Sequence, residues 1–293
     1  MTELHIDHLN VVVPSLEACA PYERLGLALS RPAPHRGLGT EDRELFVGHS
    51  SNTMCVELIA FHDVELARKA APARAESYLE VLSQGGGAAR LYIGTDDPSG
   101  LAETLKSMGA TSTFQPIVGE DGVKRADVIM ALEGVPQLGI ELGVISVVEP
   151  LADRYATRKA GGLFNHSFPL KRLDHVVVVV ENLDSASSAW AELGATVAGN
   201  FRNSSTLIRQ MQLGDAAVAL VQDPTPRSVG GRRGGLVSMA AWEVADLGGA
   251  VAIARDRGFH ASEPEPAAVP GARVSRIPAA ELAGLEMELV QYV

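Results

Sequence analysis

The chain has only two cysteines, Cys19 and Cys55, in 293 residues. Two thiols cannot build a disulfide framework or a multi-cysteine metal site, and they suit a reducing compartment. Aromatic residues make up only 5%, which disfavours a pocket built by stacking rings. Positive charge is in deficit: 25 Lys+Arg stand against 36 Asp+Glu, a net charge of −11. That balance argues against a nucleic-acid partner, because phosphate binding needs clustered cations. Long apolar runs are missing as well. Apolar runs such as Val176 to Val180 are far too short to cross a bilayer, so no membrane span is expected. The first residues, Met1 to His8, lack the basic and apolar regions of a signal peptide, and the expectation is a cytoplasmic protein.

What remains is a composition that folds. Hydrophobic residues are 46% and charged residues 21%, ordinary for a globular chain of about two domains.

A pattern recurs four times: a short apolar stretch, an acidic or Pro-containing turn, an amphipathic helix, and a glycine. The copies begin at Ile6-Asp7-His8, Arg90-Leu91-Tyr92, Leu173-Asp174-His175 and Met239-Ala240-Ala241. Their helices end at Gly26, Gly109, Gly194 and Gly258, each a natural left-handed cap. Counting back from these glycines makes His8, Arg90, His175 and Met239 equivalent. Each copy closes on a further strand, around Glu57, Glu141, Ala219 and Glu288. Two more strands fit between, which gives an α+β fold of four βαβββ modules. The expected boundaries are 1–149 for the first pair, 150–171 for a linker and 172–293 for the second pair. Residues 63–88 join modules one and two through a helical stretch, and Pro224 to Gly235 reads as a loop.

This arrangement resembles the vicinal oxygen chelate superfamily, which includes glyoxalase I, extradiol dioxygenases, bleomycin-resistance proteins and methylmalonyl-CoA epimerase. The carriers are Ile6-Asp7-His8, Leu173-Asp174-His175, the strand-turn-helix after each, and the closing Glu-Leu-Ile and Glu-Leu-Val strands. The resemblance implies two tandem cup-shaped glyoxalase-like domains. It also implies a divalent metal held by side chains of the first and last strands. Carried over by position, the N-terminal set is His8, Glu57, Arg90 and Glu141, and the C-terminal set is His175, Ala219, Met239 and Glu288.

His8, Glu57 and Glu141 are therefore the expected metal ligands, a mixture suited to Mn, Fe, Zn or Ni. Strand alternation puts His8 and Asn10 on one face and Asp7 on the other. Arg90 cannot ligate a metal; it would either pair with a glutamate or steer an anionic substrate. Tyr92 and Arg43 are further substrate-binding candidates, each with a structural alternative as core tyrosine or surface ion pair. Glu57, Glu141 and His35 are the acid–base candidates, His35 competing with a surface-loop reading. His49, His62 and His166 read as solvent-exposed.

The resemblance implies a metal-dependent isomerase, epimerase or lyase acting on a small oxygenated metabolite. Two other functions stay open: a metal-free binding protein of bleomycin-resistance type, and an extradiol-type dioxygenase, against which Met239 speaks. Whether modules pair within one chain or across a homodimer is also open.

Overall fold

The computed structural model describes residues 4–49, 52–118, 123–133, 135–203, 206–222 and 237–293. The expected loop from Pro224 to Gly235 lies outside the described residues. Module one holds β1 (Leu4–Val12), α1 (Ala20–Leu25), β2 (Ala33–Pro34), β3 (Thr40–His49) and β4 (Asn52–Phe61). Two helices follow, α2 (Val64–Ala70) and α3 (Pro72–Ser83). Module two is β5 (Gly87–Thr95), α4 (Pro98–Ser107), β6 (Thr111–Val118), β7 (Lys124–Glu133) and β8 (Leu142–Val147). After α5 (Leu151–Ala160), module three is β9 (Leu170–Val180), α6 (Leu183–Glu192), β10 (Thr196–Asn203), β11 (Thr206–Leu213) and β12 (Ala216–Gln222). Module four is β13 (Val237–Val244), α7 (Leu247–Asp256), β14 (Glu265–Pro266), β15 (Ala272–Ile277) and β16 (Glu286–Tyr292).

The α+β fold of four βαβββ modules stands. Modules one and two share a sheet in the order β2-β3-β4-β1-β5-β8-β7-β6, and modules three and four repeat it as β10-β11-β12-β9-β13-β16-β15-β14. In each sheet the two first strands meet antiparallel at the centre, and each pairs in parallel with the closing strand of its own module. The four helix-ending glycines all have positive φ, from 82 to 103°, the conformation that lets a helix stop and its chain turn back into the sheet.

Alternation along β1 sorts the residues. Leu9, Val11 and Val13 enter the core cluster, while His8, Asn10 and Val12 take the opposite, concave face. One continuous apolar cluster runs through both halves, joining Leu9 and Leu58 to Val176 and Trp190. Buried polar contacts lock the halves. Tyr22 OH donates to the Leu282 carbonyl at 2.9 Å, and Trp190 Nε1 donates to the Leu138 carbonyl at 3.1 Å. No helix among the described residues is long and apolar enough to cross a membrane.

Candidate metal and acid–base site in the N-terminal cup

The site begins with a break in strand pairing. Along β1 and β5, Ile6 faces Ile93 and His8 faces Tyr92, so Asp7 has no partner. Such a bulge rotates the extra residue out of alternation. Asp7 therefore turns to the same side as His8 rather than the opposite one, correcting the simple strand reading. Its Oδ1 lies 2.8 Å from His8 Nδ1, and Arg154 Nη1 donates to its Oδ2 at 2.8 Å. Burial pushes the Asp7 carboxyl up, but the hydrogen bonds from His5 and His8 and the Arg154 charge hold it well below the usual range. The ionised carboxylate fixes the Nδ1–H tautomer of His8 and aims Nε2 into the cup.

Glu57 is the hub. Its Oε2 lies 3.5 Å from His8 Nε2 and its Oε1 3.1 Å from His35 Nε2. His35 is brought there by a turn between β2 and β3, and its Nδ1 lies 2.8 Å from Thr40 Oγ1. Gly39 in that turn has φ of 67°, and a Cβ there would stand 2.2 Å from the Asp63 carbonyl oxygen, so no side chain fits. His35 Nε2 is also 3.7 Å from Asp42 Oδ1. Glu44 on β3 stands directly opposite Glu57 on β4.

So many carboxylates under little water cannot all stay ionised. Burial and the Glu57 charge push Asp42 up to about 7. The same causes raise Glu44. Burial raises Glu57 too, but His35 and His8 outweigh it and hold Glu57 below its ordinary value. Burial lowers His8 and His35, and their acidic neighbours reverse this and raise both.

Glu141 does not join this group. In modules one, three and four, Glu57, Ala219 and Glu288 stand opposite Asn10, Val177 and Ala241, each two residues beyond the first-strand position. In module two the corresponding place, opposite Tyr92, belongs to Gly143. Glu141 lies two residues earlier, just before β8, where Arg90 Nη2 donates to its Oε2 at 2.7 Å and Ser77 Oγ donates from 3.2 Å. A Cβ on Gly143 would come within 2.3 Å of Tyr92 Cε1. Tyr92 thus fills the space a fourth ligand would need, with its ring stacked on His8 at 4.0 Å and 16°.

The other substrate-binding candidates divide. Tyr92 lines the cavity. Arg90 is 2% exposed, paired with Glu141, and lines no part of it. Arg43 lies on the face away from the cup and pairs with Glu23 at 2.7 Å. His166, expected in solvent, accepts from Ala28 N through Nδ1 and reaches the Phe46 carbonyl through Nε2 at 2.8 Å, tying the inter-domain segment to module one.

Sequence reasoning missed the helical walls. The cavity holds about 700 Å³, and besides the strands it is lined by Arg74 and Tyr78 of α3 and by Arg154 and Arg158 of α5. Asn10 Nδ2 donates to Tyr78 OH at 2.9 Å, which docks α3 over the distal end of β1. The Arg154–Asp7 pair docks α5 over the opposite end. Both segments look like linkers in the sequence. The available signal was helical spacing: Arg74, Tyr78 and Val81 repeat at four and three, and Arg154 and Arg158 at four.

The C-terminal cup repeats the motif with a different ending. Asp174 is again bulged, and its Oδ2 lies 2.7 Å from His175 Nδ1. Glu288 reaches within 3.8 Å of His175 Nε2 across the small Ala241. Arg276 then donates to Glu288 Oε2 from Nε at 2.9 Å and from Nη2 at 2.8 Å. A guanidinium beside that carboxylate leaves little call for a metal. Met239 stands opposite Val177 and Glu286.

The residues of the N-terminal cup fit a divalent cation. Donor atoms of His35, Asp42 and Glu57 lie within 4.8 Å of one another, alone in this among the described residues. Asn10 Oδ1, buried opposite Glu57, has no hydrogen-bond partner among the described residues. One nitrogen with several hard oxygens suits Mn, Fe, Zn or Ni.

Residues 6–137 match a glyoxalase-like domain, and residues 172–289 match the Glyoxalase/Bleomycin resistance protein/Dioxygenase superfamily. No curated protein matches the sequence. Three solved structures share the tandem fold. A mutant of 4-hydroxymandelate synthase from Streptomyces coelicolor has a TM-score of 0.66 at 14% identity, with 100% of this chain and 93% of that one covered. A hypothetical protein from Staphylococcus aureus gives 0.62 at 15%, covering 98% and 99%. Homoprotocatechuate 2,3-dioxygenase from Arthrobacter globiformis gives 0.59 at 16%, covering 98% and 79%. At such identities the likeness is one of fold. With both halves matched and the fourfold module in place, this chain belongs to the vicinal oxygen chelate superfamily, with two glyoxalase-family domains in tandem.

Proposed function

We propose that the N-terminal cup is the active site of an isomerase, epimerase or lyase of glyoxalase type, acting on a small oxygenated metabolite. A divalent metal would be held by His35, Asp42 and Glu57, with His8 on the second oxygen of Glu57. This donor set replaces the one expected with Glu141. The observation that carries the reading is the half-buried Glu57 carboxylate set between two imidazoles, with Asp42 beside it.

When bound, the metal would polarise a substrate carbonyl and stabilise enolate-like charge. The chain's own residues account for the proton. Glu57, held ionised by His35 and His8, takes the proton from the carbon next to the carbonyl on a carboxylate oxygen. His8, outside the donor set and with a pKa raised by its acidic neighbours, returns a proton from Nε2. Return to the adjacent carbon gives isomerisation, and return to the other face of the same carbon gives epimerisation. Asp7 and Arg154 hold the His8 tautomer, and Tyr92 covers one face of its ring.

A metal-free acid–base enzyme is the second reading, favoured by the 3.1 Å contact that already satisfies Glu57 through His35. The experiment is a panel of α-hydroxycarbonyl isomerisation, epimerisation and lyase assays on wild type and Glu57→Gln, each with and without Mn, Fe, Zn or Ni. The proposal expects activity that needs added or resident metal and falls about a hundredfold or more in the variant. Activity untouched by Glu57→Gln would sink both readings, and full activity after metal removal would leave only the second.

A further inference from the structure

Among the described residues, two arginines in the cup are in no close ion pair. Arg74 comes from α3 and Arg158 from α5, and both line the cavity. Arg74 makes no hydrogen bond or ion pair among the described residues. Arg158 lies over the Phe46 ring at 4.7 Å and, among the described residues, hydrogen-bonds only within its own helix, at the Arg154 carbonyl. The two helices cover opposite ends of the strands that carry Glu57. Helix α5 sits over Asp7 and Phe46, and α3 sits over Asn10, Val12 and Ile59.

Such guanidinium groups are costly to enclose without a counter-charge. Glu57 attracts Arg74 and Glu44 attracts Arg158, but neither carboxylate closes to an ion pair with its arginine among the described residues. Asp7 is taken by Arg154 and His8, and Glu57 by the two histidines. In a chain with net charge −11, four Lys/Arg side chains nonetheless line this one cavity. Asp7, Glu44, Glu57 and Glu149 line it too, so the lining balances where the chain as a whole is acidic, and an anion entering meets guanidinium groups outside any close ion pair.

The wall across from Glu57 is different in kind. Ala126 and Val128 on β7 and Ile145 and Val147 on β8 form an apolar cluster with Tyr92. The sheet order puts β7 and β8 on one side of the β1/β5 floor and β3 and β4 on the other. The cavity therefore has a cationic, acid–base side and an apolar side, and its volume suits a small organic ligand.

We propose that the site takes an organic carboxylate with an apolar body. Arg74 and Arg158 hold the carboxylate, and Val128, Ile145 and Val147 bury the body. The inference rests on the reading of this cup as the active site and gives it a substrate class: a carboxylic acid with its reacting oxygenated carbons near Glu57 and an alkyl or aryl tail.

The test is titration calorimetry with three probes: 4-phenylbutyrate, its uncharged amide 4-phenylbutanamide, and acetate. Each is run on the protein as purified and again after chelator treatment, so that a carboxylate bound only through metal is recognised. The expected result in both states is binding of 4-phenylbutyrate about tenfold or more tighter than either other probe. Arg74→Met and Arg158→Met should each weaken the acid about fivefold or more and leave the amide unchanged, with Arg→Lys at either position restoring part of the loss. Val128→Asn should weaken acid and amide alike. Equal binding of acid and amide, acetate as tight as the longer acid, acid binding abolished by chelator, or indifference to both arginine variants would overturn the proposal. Metal content measured in the same samples separates the two readings. Acid binding without metal uptake removes the metal centre and leaves the substrate class, and metal uptake without acid selectivity does the reverse.

Discussion

Asp7→Asn removes one charge and almost no volume from the most enclosed carboxylate of the site. The side chain of Asp7 is 4% exposed and accepts from both His8 and Arg154 at 2.8 Å. Arg154, 13% exposed, would be left facing a neutral amide. Removing one partner of a buried pair costs about 3 kcal/mol or somewhat more. For 293 residues, the unfolding entropy is about 0.6 kcal/mol per degree. The variant should therefore melt about 5 °C below wild type at pH 7. The pH dependence gives a second check. The folded-state pKa of Asp7 is depressed, so its stabilisation is present above the unfolded value of about 3.9 and disappears as pH falls through the folded value. The gap between variant and wild type should narrow below about pH 4. His8, deprived of the Asp7 hydrogen bond and charge that raise it, should titrate lower by NMR. A melting point within about 1 °C of wild type at pH 7, or a gap that does not narrow in acid, would refute the assignment of Asp7 as the ionised anchor of His8.

Gly143→Ala should push the Tyr92 ring off His8, because its Cβ would lie 2.3 Å from Cε1. The expected cost is about 1–3 kcal/mol, and a crystal structure of the variant would show the stack broken. Tyr22→Phe deletes a buried hydrogen bond between the halves and should lower the free energy of urea unfolding by about 1 kcal/mol. His166 is held neutral by burial, against the pull of the Phe46 carbonyl, so its ring should titrate below 6.5 by NMR. Because that folded pKa is depressed, the stability it contributes is full above the unfolded value and is lost as pH falls from there toward the folded one.

The fold was legible because it is written four times. Helix-ending glycines at 26, 109, 194 and 258 carry the module boundary in the chain itself, and apolar alternation does the rest. His8, His35, Glu57 and Tyr92 were within reach of the sequence, and all four line the cavity. What escaped was whatever depends on strand pairing. A bulge leaves no mark in composition, so Asp7 was assigned to the wrong face. A two-residue difference in where module two places its acid looked negligible as a string, yet it puts Gly143 in the ligand position and Glu141 on Arg90. Helices α3 and α5 were missed as site walls for a related reason. Nothing local says whether a helix between modules is a spacer or covers the cup until its arginines and tyrosine are seen there. Asp42 became visible only once the turn at Gly39 brought His35 back over β3.

The central claim is that a divalent metal belongs in the N-terminal cup, and elemental analysis of purified protein tests it most directly. Wild type, Glu57→Ala, His35→Ala and His175→Ala would be compared, as purified and after incubation with Mn, Fe, Zn or Ni. The account predicts about one equivalent of metal in wild type and in His175→Ala, and loss in Glu57→Ala and His35→Ala. Metal that survives Glu57→Ala but leaves with His175→Ala, or a wild type that takes up none of the four ions, would contradict it.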